Sequence, residues 1–412
     1  MIEHTSFPGG PSVAGQPPEL AVASLVEFAA KMPSSDLFFL SNENHVSVTV
    51  RHLGMIRLLT VLTPDQGRRC ISYIKVMADM DLAEQRRPMD GRWVQWFQEG
   101  QIKMVDLRVS TIPTLHGEDL AIRLLTSSAE ALTVDQLGMN GRDLHEVLGM
   151  LRNPSGLILI SGPTGSGKST TLYASLQHLN DGQRKINTIE DPIEYAIPGV
   201  RQSQINLKID VGFPELLRSI LRQSPDVIMI GEIRDPITAE TAVRAANSGH
   251  LVMASVHAAS GIGAIQSMMG LGVHPHFLST AIQGVIAQRI VRTLCPMCKV
   301  ANEVSETTPM FDEVRAWLEP GEGNQLYTAE GCDHCYHSGY SGRSAVFEIL
   351  KIGRGLRSLI ADGRPGRELL QKAIAEGFLE LRRAALLKAA KGITNAEELL
   401  RAIPSQELGL ED

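Results

Sequence analysis

The chain has 412 residues, a formal net charge of −7 and an ordinary globular composition, 43% hydrophobic and 21% charged. That length allows two or three domains with ample cores. The acidic balance argues against a machine that works by broad neutralisation of nucleic-acid phosphates, and no apolar run reaches the roughly 18 residues of a membrane span.

The N-terminus, Met1-Ile2-Glu3-His4-Thr5, has neither the basic nor the apolar segment of a secretion signal. A cytosolic chain is therefore expected, with any membrane contact made through partners. Residues 7–18 are rich in proline and glycine and read as a flexible tail. Residues 19–31 have the apolar spacing of a short helix, and Val46, Val48 and Val50 alternate with polar residues as in a half-buried strand. Cys70 reads as a small buried hydrophobe. Residues 92–97 and 102–108 flank Gln98-Glu99-Gly100-Gln101, which is a hairpin signature. A tail over 1–19, a small mixed α/β domain over 20–126 and a helix-like linker over 127–150 follow from these signals.

From Gly156 onward, strand-like and helix-like runs alternate: 157–161, 168–179, 185–190, 214–223, 226–231, 238–247 and 250–256. Such alternation predicts a parallel sheet covered by helices. Between the first two runs lies Gly162-Pro163-Thr164-Gly165-Ser166-Gly167-Lys168-Ser169, a full GxxxxGK[ST] motif, with Thr170 behind it. Strand, glycine loop and helix together make a phosphate-binding loop, whose backbone N–H groups and helix N-terminus cradle an anion. Lys168 is expected on the β- and γ-phosphates of ATP, and the Ser169 hydroxyl on Mg²⁺. The alternative is a glycine-rich turn that binds nothing. The later strands end in candidate groups: Glu190 closes one, Glu232 follows the apolar run 226–230, His250 opens the next and His257 closes it. Taken singly each could be a surface carboxylate or a core histidine. Together, at strand ends of one α/β sheet, they point to a site.

Cys295-Pro-Met-Cys298 and Cys332-Asp-His-Cys335 read as four thiolate ligands of a structural Zn²⁺ ion, closed to water by the fourth sulfur. Disulfides are the alternative, disfavoured in a reducing compartment. The stretch between the pairs is polar, with a loop at 319–324. After Gly342 the chain reads as helical, with Ala- and Leu-rich runs at 366–391 and 395–402. The resulting division is an ATPase core over 151–294, a zinc subdomain over 295–343 and a C-terminal helical region over 344–412.

These motifs resemble, over roughly 70–400, the secretion ATPase superfamily, the motors of type II secretion and type IV pilus assembly. The resemblance is carried by IKVMADMDLAEQRRPMDGRW (74–93), DLRVSTIPT (106–114), GPTGSGKSTTLY (162–173), TIEDPIEY (188–195), LRQSPDVIMIGEIRD (221–235), SGHLVMASVH (248–257), AQRIVRTLCPMC (287–298) and CDHCYHSGYSGRSAVFEIL (332–350). It implies a PAS-like N-terminal domain joined to a RecA-like P-loop ATPase, a homohexamer, and an inner-membrane platform protein as partner; the acidic net charge and the absence of an aromatic-basic run add the expectation of no direct nucleic acid. It also implies roles. Glu190 would polarise the attacking water, Glu232 would support Mg²⁺, and His250 and His257 would link the γ-phosphate to a subunit interface. Arg92, Arg108 and Arg123 would bring charge to the phosphates, where a guanidinium fork suits phosphoryl transfer; each could equally be a surface ion pair.

The chain departs from the family pattern at Ala258-Ala259, where small polar residues are usual, in Ser35-Asp36-Leu37-Phe38-Phe39, which lacks a His, and at Arg51-His52-Leu53-Gly54. The additional N-terminal domain of many assembly ATPases is expected to be missing. The cysteine pairs resemble the secretion and pilus-extension branch. The expected function is a cytoplasmic ATPase, peripheral at the inner membrane, that powers pseudopilus or pilus assembly. A pilus-retraction motor, a DNA-translocating ATPase and a nucleotide-gated scaffold are the rivals.

Overall fold

The computed structural model describes residues 10–32, 34–99, 101–126, 132–303, 311–405 and 407–408. The chain divides into two compact units, Met1–Glu130 with Cys295–Lys299 and Ala329–Gly342, and Ala131–Leu294 with Val300–Thr328 and Arg343–Asp412.

The first unit runs α1 (Pro18–Lys31), β1 (Ser34–Ser41), β2 (Val46–His52), β3 (Met55–Leu62), α2 (Pro64–Met77), β4 (Met89–Glu99), β5 (Gln101–Thr114) and β6 (Gly117–Thr126). Its strands form one antiparallel sheet in the order β3-β2-β1-β6-β5-β4. One face packs against both helices: Leu37, Phe39, Val48, Leu107 and Ile122 meet Val22, Leu25, Cys70 and Ile74, all buried. The expected hairpin is present, with Arg92 opposite Arg108; Gly100 of its turn lies outside the described residues, as do residues 1–9 of the expected tail and 127–131 of the expected linker. Residues 10–17 do not run free. Val13 is fully buried, and Gln66 Nε2 donates to its carbonyl at 2.7 Å. A single apolar side chain with a place in the core outweighs the local flexibility of its Pro/Gly neighbours. Strand β2 is also more buried than its alternation predicts: Ser47 and Thr49 are covered too, because β2 lies inside the sheet and Thr49 sits beside Phe38.

The second unit runs α3 (Gly141–Leu151), β7 (Gly156–Ser161), α4 (Lys168–Leu179), β8 (Ile186–Glu190), β9 (Arg201–Gln204), α5 (Phe213–Leu221), β10 (Val227–Ile230), α6 (Pro236–Asn247), β11 (Leu251–Val256), α7 (Gly261–Gly270), α8 (Pro275–Ala281) and β12 (Ile282–Leu294). There follow β13 (Lys299–Glu303), β14 (Gln325–Ala329), β15 (Tyr340–Lys351), α9 (Arg354–Ala361), α10 (Gly366–Ala375), α11 (Leu381–Ala390) and α12 (Ala396–Ala402). The large sheet has the order β15-β12-β7-β11-β10-β8-β9, and β13 pairs with β14. Strands β12, β7, β11, β10, β8 and β9 are mutually parallel. All six residues of β7 and of β11 are buried, as expected for parallel strands covered on both faces. Where a helical reading began after Gly342, the structure first places strand β15. Its residues Ala345–Leu350, apolar except for Glu348, are buried, and pairing with β12 prevails over local helix propensity. The long helical run at 366–391 breaks at Gly377, whose φ of 88° ends α10 and lets Phe378 and Leu379 turn inward.

Candidate functional site

Strand β7 lies inside the parallel set, between β12 and β11, and the chain leaves it directly into the phosphate loop. Register shows what else arrives at the same edge. Ser161 of β7 lies beside Val256 of β11, Ala254 beside Ile230 of β10, and Ile230 beside Ile189 of β8. The residues that follow these ends, Gly162, His257, Glu232 and Glu190, therefore line the carboxyl edge, where ligands of open α/β sheets bind.

The loop is shaped by backbone geometry and by one buried amide. Gly162 has φ 150°, and a Cβ there would stand 2.5 Å from Ser166 Oγ. Gly167, at φ 88°, is the N-cap of α4. Pro163, Thr164 and Gly165 form an exposed tip, while Ser166 is buried. Gln288 of β12, 1% exposed, donates from Nε2 to the Ser166 carbonyl at 2.7 Å and accepts from Thr171 Oγ1 at 2.9 Å. It thereby ties the loop to the first turn of α4. Ser169 and Thr170 are exposed at the helix start. Lys168 Nζ donates to the carbonyls of Gly162 and Pro163 at 2.8 and 3.1 Å. Burial pulls its ammonium below the ordinary value, the Glu232 carboxylate opposes this, and Arg289 and Arg234 add to it.

Glu232 is held from two sides. Arg234 Nη2 donates to its Oε2 at 2.6 Å, and His257 Nε2 lies 2.7 Å from its Oε1. Glu190 is buried, 3% exposed, and accepts from Tyr173, Thr188 and Gln202. His250 is not brought to this edge. It precedes β11 at the opposite end, where its Nδ1 is 2.9 Å from the Ala245 carbonyl. The six residues of β11 separate it from His257, seven steps or about 23 Å at roughly 3.3 Å per residue. Ala258 and Ala259 are held through their carbonyls, by Ser161 Oγ at 2.7 Å and by the buried Arg289 at 2.9 Å, so the loop behind His257 is anchored without polar side chains of its own. Gln288, Tyr173, Gln202 and Arg289 carry no motif of their own; Tyr173, Gln288 and Arg289 lie within segments that carry the family resemblance, and Gln202 lies in none.

The arginines of the first unit form a ladder. Arg92, Arg108, Arg123, Asp36 and Arg51 stand opposite one another across β4, β5, β6, β1 and β2. Arg92 makes two 2.8 Å bonds to Asp106, and Arg123 donates to Asp36 at 3.1 Å. Arg108 has no hydrogen-bond or ion-pair partner among the described residues and, with Asp36, Asp90, Arg92 and Arg123, lines a cavity of ≈ 630 Å³.

The four cysteines converge. Their sulfurs lie within 4.8 Å of one another, at 3.9 Å for Cys295–Cys332, 3.7 Å for Cys298–Cys335 and 3.8 Å for Cys332–Cys335. A tetrahedral ion at a metal–sulfur distance of about 2.3 Å needs sulfurs about 3.8 Å apart, so the set fits a tetrathiolate metal ion. Burial opposes ionisation at Cys335, but bonds from the N–H groups of Cys332 and Gly339 and from neighbouring thiols bring it below the ordinary thiol range. The knuckle belongs to the first unit, where the Tyr336 ring is edge-on to Phe28 and His52 at 6.4 and 5.8 Å.

The family model described as Type II/IV secretion system protein matches residues 15–401. The chain belongs to this family. It is 41% identical over 374 residues to the type II secretion system ATPase E of Vibrio cholerae serotype O1, covering 90% of this chain and 73% of that protein. It is 39% identical over 387 residues to the type II secretion system protein HxcR of Pseudomonas aeruginosa, covering 94% and 77%. The ATPase DotB of Legionella pneumophila shares the fold, with a TM-score of 0.70 at 19% identity over 96% of this chain and 97% of that one. The pilus retraction motor PilT with bound ADP superposes with a TM-score of 0.61 at 25% identity, over 92% and 96%. Family and fold make the chain an ATPase. Among its described residues no helix is long and apolar enough to cross a membrane.

Proposed function

We propose that this secretion ATPase hydrolyses ATP as a homohexamer at the inner membrane and drives pseudopilus assembly in type II secretion through a platform protein. The observation that carries the reading is the meeting of the phosphate loop, Glu190 and the Glu232–His257 pair at one sheet edge. Backbone N–H groups of residues 162–170 and Lys168 would hold the phosphates, and Ser169 would hold Mg²⁺ with Glu232 supporting its waters. Bound Mg²⁺ supplies charge neutralisation between the phosphates. Glu190 acts as the base that orients the attacking water, and His257, through Glu232, senses the γ-phosphate end of the site. His250 is left out of the chemistry because of its place at the far edge. The arginine ladder offers charge to the phosphates mainly through Arg108, since Arg92 and Arg123 are already paired. The tetracysteine set holds a structural Zn²⁺ ion.

Secretion is favoured over retraction because the relatives near 40% identity are type II secretion proteins, against 25% for the retraction motor. The test is Mg²⁺-dependent ATP turnover. Lys168→Ala is expected to remove more than about 90% of it, since phosphoryl transfer loses its closest fixed charge. Turnover retained in that variant would sink the assignment.

A further inference from the structure

Glu190 is masked. One oxygen accepts from the Tyr173 hydroxyl; the other accepts from Thr188 Oγ1 at 2.5 Å and from Gln202 Nε2 at 3.1 Å. A carboxylate offers about four acceptor positions. Three are filled by protein here, on a side chain only 3% exposed. A general base must come within hydrogen-bond reach of the water it activates. With one acceptor position left on a carboxylate nearly closed to solvent, Glu190 gains reach to water when it gives up one of these donors.

Two of the three donors also hold the loop that follows β8. The Tyr173 hydroxyl accepts from the Glu194 N–H at 3.1 Å, and its ring centre lies 4.6 Å from that of Tyr195. Gln202 Nε2 also donates to the Tyr195 carbonyl at 3.1 Å, and its Oε1 accepts from the Ile197 N–H at 2.7 Å. Burial, with the bond to Glu190, raises the Tyr173 phenol above its ordinary value, so it stays protonated and able to donate. Thr188 differs from the other two: it lies on β8 with Glu190 and moves with it. Tyr173, on α4, and Gln202, on β9, are the parts that can separate from the carboxylate. Tyr195, at 42% exposure, is the loop's handle to the outside.

We propose that Tyr173 and Gln202 form a latch that holds Glu190 out of reach of water, and that displacement of loop 191–200 opens it. Both are positioning residues, and the latch rests on the reading of Glu190 as the base. In a latched enzyme the resting rate is limited by how often the base is released. Weakening the latch then raises turnover, whereas structural damage lowers it.

The experiment uses the full chain and steady-state ATP turnover against ATP concentration. Tyr173→Phe removes one donor with little change of shape, and Gln202→Met removes the other at the sheet margin, so that a folding defect in one leaves the second informative. Each is expected to raise kcat by about three- to tenfold with KM within about twofold, the net scale of one lost ordinary hydrogen bond. In the Glu190→Gln background the gain should vanish. Unchanged or reduced kcat in both variants, with Glu190→Gln inactive, overturns the latch and leaves the base assignment standing. A gain that survives in the Glu190→Gln background also overturns the latch. Normal turnover in Glu190→Gln alone removes the base assignment and the latch with it.

Discussion

Gln288 shows how a residue without chemistry of its own can govern a site. Its amide is buried, and it satisfies the Ser166 carbonyl and the Thr171 hydroxyl, groups that would otherwise be stranded beneath the phosphate loop. Gln288→Leu keeps the volume and removes both bonds, which costs about 1–3 kcal/mol at the loop. The expected outcome is a rise of about tenfold in KM for ATP, with kcat changed less, because the loop's N–H groups lose their common aim while Glu190 and Glu232 are untouched. Equal KM in variant and parent would show that the loop holds its shape by glycine geometry alone. Lys168 and the loop glycines were legible in the sequence because the constraint on them is local: eight consecutive residues must curl around one anion. Gln288 was not, since it is more than a hundred residues away and its value depends on β12 lying beside β7. His250 marks the opposite case. It is near His257 in sequence, but an extended strand puts the two at opposite edges of the sheet.

At the scale of elements, the tetracysteine knuckle is the clearest unit. The two Cys-x-x-Cys turns were readable from spacing, and their convergence agrees with a tetrathiolate site. Their packing on the first unit was not readable, because Tyr336 reaches Phe28 and His52 across some three hundred residues of chain. A structural metal's binding energy is folding energy. Cys298→Ser is therefore expected to lower bound zinc well below one per chain and to lower the thermal midpoint by roughly 6 °C, about 2 kcal/mol at this domain size. Chelator should lower the parent's midpoint similarly and leave the variant's unchanged. Full zinc occupancy in the variant would mean that other ligands hold the ion. Strand β15 escaped local reading for a related reason. Its apolar run suits helix or strand alike, and the open edge of β12 decides between them.

For the whole molecule, the proposed homohexamer carries its own prediction. If neighbouring copies complete the nucleotide site, specific ATPase activity rises with protein concentration, as mass action requires of an assembled state. A flat specific activity across a hundredfold range, about the span needed to cross a midpoint from either side, would indicate either a pre-formed ring or a self-sufficient protomer, and sizing would separate these. The amino-acid sequence by itself determined the phosphate loop, the parallel α/β core, the cysteine turns and the family. Each of these is written in contiguous residues, where spacing alone dictates geometry. Tertiary structure alone decided which groups share the carboxyl edge, that Glu190 is masked by Tyr173 and Gln202, that Gln288 braces the loop, and that four arginines and Asp36 form one ladder. Those facts depend on strand order and register, which are set by burial of whole faces at once and not by any local run of residues.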